Sequence, residues 1–412
     1  MMNGLQTLAE NSATDSGLYL AFTLFDVALI VILARLLGNG LARLGQPRVV
    51  GEILAGILLG PTLLGEAWSQ IIVPLSVRPT ISVLATLGLM LFMFIAGLEF
   101  DLSLVNGRIR QATLLALLSV GVPALIGFPI ASVMHNAQFA GAAGAEFLPF
   151  ALLIGAALTV TAFPVMAHIL LERNELKTNM GGLAVATAGI VSVLMFLYIA
   201  FASNVASGAG VGGVLVTVGL TAVFLIVSWV VIRPLLAKLI AFPANANQMV
   251  MIFGGLLLYG LLADRIGIHA LMGGFIWGML LPANPELRTS LVVKVRDIAL
   301  VVFLPLFFAA AGFSADLKLL SLDIVPVMLL LLAGAVASKF VGAVPAKLFG
   351  LEWREIIILG ALFNTRGLLV LVVGLIGLQT SIISPATMTL FVVVALVTNL
   401  MTLPVMNAVT VK

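Results

Sequence analysis

Apolar runs long enough to span a bilayer follow one another through almost the whole chain, separated by short polar connections. A helix needs about 20 apolar residues to cross the hydrocarbon core. Lipid offers no partner for an unpaired backbone group, so such runs fold as helices. That ruler places spans near 18–37, 49–65, 81–99, 111–133, 148–170, 180–203, 212–238, 248–263, 268–282, 298–314, 323–346, 355–378 and 385–408. The expectation is an all-α polytopic membrane protein of about 13 transmembrane helices, one membrane domain over residues 1–412. Hydrophobic residues make up 62% of the chain and charged ones 9%. Soluble domains carry roughly 25% charged residues, and no stretch here is polar enough to form one. Cysteine is absent, which excludes thiolate metal sites and cysteine nucleophiles. The lipid bilayer is the implied partner, and no nucleic acid is.

Charge in the connections tests the count. The loops after odd-numbered spans hold Arg35, Arg43, Arg48, Arg108, Arg110, Arg173, Lys177, Arg233, Lys238, Arg288, Lys294, Arg296, Lys347, Arg354 and Lys412. The opposite side holds only Arg78, Arg265 and Lys318, while Lys339 and Arg366 fall inside spans. Basic loops stay cytoplasmic. The pattern predicts a multi-pass protein of the cell inner (plasma) membrane, N-terminus outside and C-terminus cytoplasmic.

Two spans carry interruptions at mid-depth. The fifth contains Thr159, Thr161 and Pro164, and proline removes a backbone donor and clashes with the preceding turn. The twelfth contains Asn364, Thr365, Arg366 and Gly367, polar groups that are costly in lipid unless they line a cavity. Breaks seven spans apart predict two inverted repeats whose unwound segments cross at the midplane, as in many secondary transporters.

Several segments then resemble one family. Residues Gln46–Pro61 resemble the second-helix signature of the cation:proton antiporter-2 family, which includes Kef-type potassium/proton and related sodium/proton antiporters. Leu91–Leu102, Gly267–Pro282 and Phe303–Phe313 are similar to its third, ninth and tenth spans. Thr159–Ala162 and Phe363–Gly367 are similar to its two breaks, and Lys339 stands where the family has a basic residue in the eleventh span. The resemblance implies an NhaA-like antiporter fold and a homodimer. It implies core helices near 81–203 and 298–378, scaffold helices near 18–65 and 212–282, and a last span at 385–408. The core would move as an elevator and exchange a monovalent cation for protons, with no resident cofactor.

One departure from the family is informative. Its sixth span carries one or two carboxylates, each able to hold a proton or a cation but not both. Val191 and Ser192 occupy those positions here, and no Asp or Glu lies between Lys177 and Ser203. The hydroxyls of Thr161 and Ser192 offer neutral oxygens for sodium or potassium but no titratable proton. Lys339 is the proton carrier candidate, because an amine can exchange a proton; the alternative is a structural cation bonded to carbonyls of the breaks. Arg366 keeps its proton and reads as a brace for the crossing. The stripes Gly181, Val185, Ala188, Ser192 and Gly334, Ser338, Gly342 alternatively read as close-packing seams. Asp26 reads as a polar contact at a subunit interface, Glu52 as solvated or paired with Arg48, and Asp297 as an acid at a helix start. His168 is a candidate pH sensor; His135 and His269 read as solvated and structural.

Three functions fit these residues. The first is a sodium or potassium:proton antiporter. The second is a proton-linked exporter of an anionic or carrier-complexed metabolite on the same scaffold. The third is a transport-inactive relative. The intramembrane residues supply no acid–base pair and no metal cluster, so no catalytic set is assigned and an enzyme is not expected.

Overall fold

The computed structural model describes residues 7, 9, 11–12, 14–43, 48–99, 109–141, 146–162, 166, 169–170, 175, 178–206, 210–240, 243–313, 318 and 322–410. Gln46, Pro164, Arg108, His168, Arg173, Lys177 and Lys412, all named above, lie outside the described residues. The described residues are helical, with one isolated antiparallel bridge between Ala140 and Ile383.

In chain order the helices are α1 (Ser16–Arg43), α2 (Arg48–Leu59), α3 (Pro61–Ile72), α4 (Arg78–Glu99), α5 (Ile109–Met134), α6 (Phe147–Thr159), α7 (Asn179–Ala206) and α8 (Gly210–Val227). Then come α9 (Ala246–Ile266), α10 (Ala270–Leu280), α11 (Pro285–Ile298), α12 (Leu304–Phe313), α13 (Val325–Ala343), α14 (Trp353–Phe363), α15 (Gly367–Gln379) and α16 (Pro385–Thr410). One π-helical turn, Ser228–Ile232, carries α8 on into Arg233–Leu239. Another, Ala299–Phe303, joins α11 to α12.

Among the described residues, eight helices are long and apolar enough to cross a membrane, and a ninth such unit is the pair α2–α3, bent by 80°. The other apolar helices are shorter. Helix α6 stops at Thr159, α10 has 11 residues, α12 has 10, and α14 and α15 are separated by Asn364–Arg366. Asp297 does not open a helix: it lies in the last turn of α11, which runs on through the π turn into α12. The start of α11 is capped instead by Asn284, whose Oδ1 accepts from the amides of Glu286 (2.9 Å) and Leu287 (3.0 Å).

Packing divides the helices into two groups. Helices α1–α4 pack with α9–α12, and α5–α7 pack with α13–α16. Residues 81–99 pack on α10, and residues 304–313 on α2. Small residues decide the seams, since close approach is the main source of helix affinity in lipid. A Cβ on Gly278 would lie 2.3 Å from the carbonyl oxygen of Phe94, which locks α10 onto α4. A Cβ on Gly127 would lie 2.5 Å from Gly155 Cα, which sets α5 against α6. The Gly334–Gly342 stripe is a packing seam: Gly342 faces Leu118 and Ser119, so it sets α13 on α5. That contact brings Lys339 to the end of α6.

Candidate functional site

The two breaks lie side by side. After Thr159 the backbone turns extended at Val160, with φ −51° and ψ 132°. The Ala162 amide then donates to the Thr365 carbonyl at 2.7 Å, and the Thr161 hydroxyl donates to the Phe363 carbonyl at 2.9 Å. Each break satisfies a backbone group that the other leaves without an intrahelical partner.

Two fully buried cations hold this junction. Lys339, near the C-terminal end of α13, points Nζ at the Thr159 carbonyl (2.5 Å), the Thr161 hydroxyl (2.9 Å), and the carbonyl (3.0 Å) and hydroxyl (3.3 Å) of Ser119. Two of these oxygens are carbonyls, and the Thr161 proton is already given to Phe363, so three can only accept. An ammonium has three N–H groups to match them; a neutral amine has two. The arrangement is that of a protonated lysine.

Arg366 donates from Nη1 to the Ala157 carbonyl (2.7 Å), from Nη2 to the Ala335 carbonyl (2.5 Å) and from Nε to Asn364 Oδ1 (3.4 Å). These bonds link the end of α6 to α13 beside the second break. Cations suit helix C-termini, where carbonyls are unpaired and the dipole is negative. Every hydrogen-bond partner of the two cations is a neutral oxygen.

Of the residues singled out from sequence, Thr159, Thr161, Lys339, Asn364, Thr365 and Arg366 meet at this junction. Asn364 also donates to Met401 Sδ at 3.5 Å, and the Thr365 hydroxyl closes on the Leu362 carbonyl at 2.7 Å. Ser192 is buried on α7, and its hydroxyl donates to the Ala188 carbonyl one turn earlier at 2.9 Å.

Ser119 was not singled out from sequence, yet a signal for it exists. Pro123 lies four residues later inside α5. Proline has no N–H, so the Ser119 carbonyl loses its helical partner, and Lys339 fills the vacancy. Two other expectations change. Asp26 is fully buried within its own protomer, and neither carboxylate oxygen has a hydrogen-bond partner. Of the two readings for Glu52, solvation fails, since it is buried, and it lies instead in the electrostatic field of Arg35 and of Arg48.

An all-helical membrane chain with apolar spans and a buried junction of interrupted helices defines a polytopic membrane transporter. A family model described as "Sodium/hydrogen exchanger, transmembrane" matches residues 27–408, and the chain belongs to that family. Among its relatives is the Na(+)/H(+) antiporter NhaS4 of Synechocystis, 34% identical over 93% of this chain and 96% of the relative. The Cation/H(+) antiporter 20 of Arabidopsis thaliana is 33% identical over 96% of this chain but 49% of its own length. The K(+)/H(+) antiporter 1 of Saccharomyces cerevisiae is 30% identical over 98% and 48%. The chain thus spans about half the length of these two eukaryotic relatives. In fold it is similar to the sodium proton antiporter MjNhaP1 of Methanocaldococcus jannaschii, with a TM-score of 0.60 at 18% identity, covering 95% of this chain and 97% of that one.

Proposed function

We propose that this protein is a secondary active antiporter exchanging a monovalent cation, sodium or potassium, for protons at the junction of the two breaks. The observation that carries this reading is the cage around Lys339. Ser119 O, Thr159 O and Thr161 Oγ1 are hard, neutral oxygens, the ligand type that also suits an alkali cation. With a proton, Lys339 fills the cage as an ammonium. Without it, the amine brings a lone pair against acceptors, withdraws, and leaves those oxygens to the cation. Ser192 adds a ligand when its hydroxyl turns from Ala188. One positive charge occupies the cage in either state, so exchange is one for one and electroneutral, with no sixth-span carboxylate.

Around that step we place 13 spans, the eight long helices and the bent pair being completed by α6, α10, α12 with its π turn, and α14–α15. The group α5–α7 with α13–α16 moves as the elevator against α1–α4 and α9–α12, which form the homodimer scaffold. The N-terminus lies outside and the C-terminus in the cytoplasm. The names of the relatives, sodium in one and potassium in another, support a cation as cargo.

The test is purified protein in liposomes under an imposed pH gradient. Sodium or potassium is expected to collapse the gradient; no response to either ion at any pH overturns the reading. A second reading has one observation in its favour: Lys339 and Arg366 give the junction net positive charge with no carboxylate among their partners. Collapse driven by an organic anion, and by neither cation, would replace cation exchange with export of an anionic metabolite.

A further inference from the structure

A second buried ionisable group lies in the other half of the molecule. Asp26 is the only aspartate buried among the described residues, and it sits on the buried stripe Thr23, Asp26, Ile30, Ala34 and Gly38 of α1. Its two oxygens meet no donor. An ionised carboxylate in a low-dielectric site without hydrogen bonds is strongly disfavoured, and such a group stays neutral by keeping its proton.

The charged groups around it are few. Its own helix carries Asp15 at the exposed start and Arg35 and Arg43 toward the far end, with Tyr19 bonded to Thr80. Helix α2 brings Arg48 and Glu52, and Glu66 of α3 is exposed. Residues 299–313 contribute no charge. Helix α4 carries Glu99 at its far end and, at its start, Arg78, the charge that acts on Asp26. The Asp26 oxygens nevertheless form no hydrogen bond to it. Arg78 is held elsewhere: Nε donates to the Val73 carbonyl (3.2 Å), Nη2 to the Ser69 hydroxyl (3.3 Å), and its guanidinium lies 6.0 Å from the centre of the Phe313 ring. Ser69 in turn donates to the Leu59 carbonyl (2.9 Å), at the bend between α2 and α3.

We propose that Asp26 is a proton-binding site separate from the Lys339 junction, and that losing its proton draws Arg78 away from Ser69 and Val73 into an ion pair. The carboxyl O–H breaks, the proton passes to water, and the carboxylate takes the guanidinium as its partner. The chain Arg78–Ser69–Leu59 then carries the state of Asp26 to the bend of α2–α3. Helix α2 also touches α12 closely, since a Cβ on Gly56 would lie 2.5 Å from the Ala309 carbonyl oxygen. A change at the bend therefore reaches the interior of the scaffold group.

The test is infrared spectroscopy of the membrane-reconstituted protein across pH, which reads the acid directly and does not depend on cation transport. The expected result is a protonated-carboxyl C=O band that shifts in heavy water, shifts again when aspartate carboxyls are labelled with carbon-13, and is lost at alkaline pH. Asp26→Asn removes the band, and Glu52→Gln leaves it. Arg78→Gln moves the pH at which it is lost. The isotope label shows in the wild-type chain that the acid is an aspartate, and Asp26→Glu, which keeps a carboxyl at the position, should keep a protonated band that the aspartate label no longer shifts. Absence of an aspartate band at every pH, its persistence in Asp26→Asn, or an unmoved pH in Arg78→Gln overturns the proposal.

Discussion

The junction of the broken helices and the buried face of α1 each hold ionisable groups away from water, but they handle them in opposite ways. At the junction, Lys339 and Arg366 are cations whose hydrogen bonds all end on neutral oxygens, among them the carbonyls of Ala157 and Thr159 at the end of α6 and of Ser119 before Pro123. On α1, Asp26 is an acid that meets no donor at all. The first arrangement surrounds its groups with acceptors, and the second leaves its carboxyl without a donor. A charge can stay buried where backbone oxygens are unpaired; one surrounded by complete helices is neutralised.

The largest effect is expected at Lys339. Lys339→Met removes the ammonium, strands the carbonyls of Ser119 and Thr159, and should reduce exchange to the background of empty liposomes. Leaving buried acceptors unsatisfied costs about 1–3 kcal/mol each, so the unfolding midpoint in detergent should fall as well. Next comes Arg366→Gln, which gives up charge-assisted bonds to Ala157 and Ala335. Such bonds contribute roughly 1.5–3 kcal/mol each. A clear drop in thermal stability and at least a tenfold loss of transport are expected. Stability unchanged from wild type would show that Arg366 does not brace the crossing.

Ser192→Asp, alone and with Val191→Asn, is the intermediate case. A carboxylate at that position should create or strengthen cation-dependent exchange and, by carrying a second proton against one cation, make it depend on membrane potential. An unchanged transport profile would mean that position 192 does not face the site. The smallest effect belongs to Pro123→Ala. It gives the Ser119 carbonyl an in-helix amide to pair with, so Lys339 loses sole use of that oxygen. A change of roughly a few-fold in exchange rate is expected, with a small gain in stability from the repaired helix. Identical rates for the two proteins would remove Ser119 from the cage.

These contrasts also explain what the sequence made legible. Lys339, Arg366, Asn364 and the Thr159–Thr161 pair stand out because polar groups are rare and costly inside apolar runs, and all of them meet at the junction. Ser119 did not stand out, because serine is common in membrane helices and satisfies its own hydroxyl locally. The signal lay in Pro123, whose missing donor is visible in the sequence but whose consequence needs the neighbouring helix. The broken stretches were legible in the same way, since Thr159–Thr161 and Asn364–Arg366 interrupt apolar runs. The grouping of helices was less legible. Residues 81–99 pack on α10 through glycines 97 and 278, and α12 packs on α2 through glycines 56 and 312, pairs that are distant in sequence. Hydropathy does not record which glycine meets which backbone. Asp26 was readable as an acid in a span, but whether a subunit interface or the protomer itself buried it depended on those same contacts.

The central claim is that one cage holds either the Lys339 ammonium or a monovalent cation. Lys339→Arg tests it most directly, because arginine keeps the positive charge and the hydrogen bonds but does not give up its proton. Wild type and Lys339→Arg would be reconstituted side by side, with the membrane potential clamped, and the collapse of a pH gradient by sodium and by potassium recorded. The account predicts cation-dependent, potential-independent collapse in wild type and none in Lys339→Arg, although the variant folds and reconstitutes normally. Wild-type exchange rates in Lys339→Arg would contradict it.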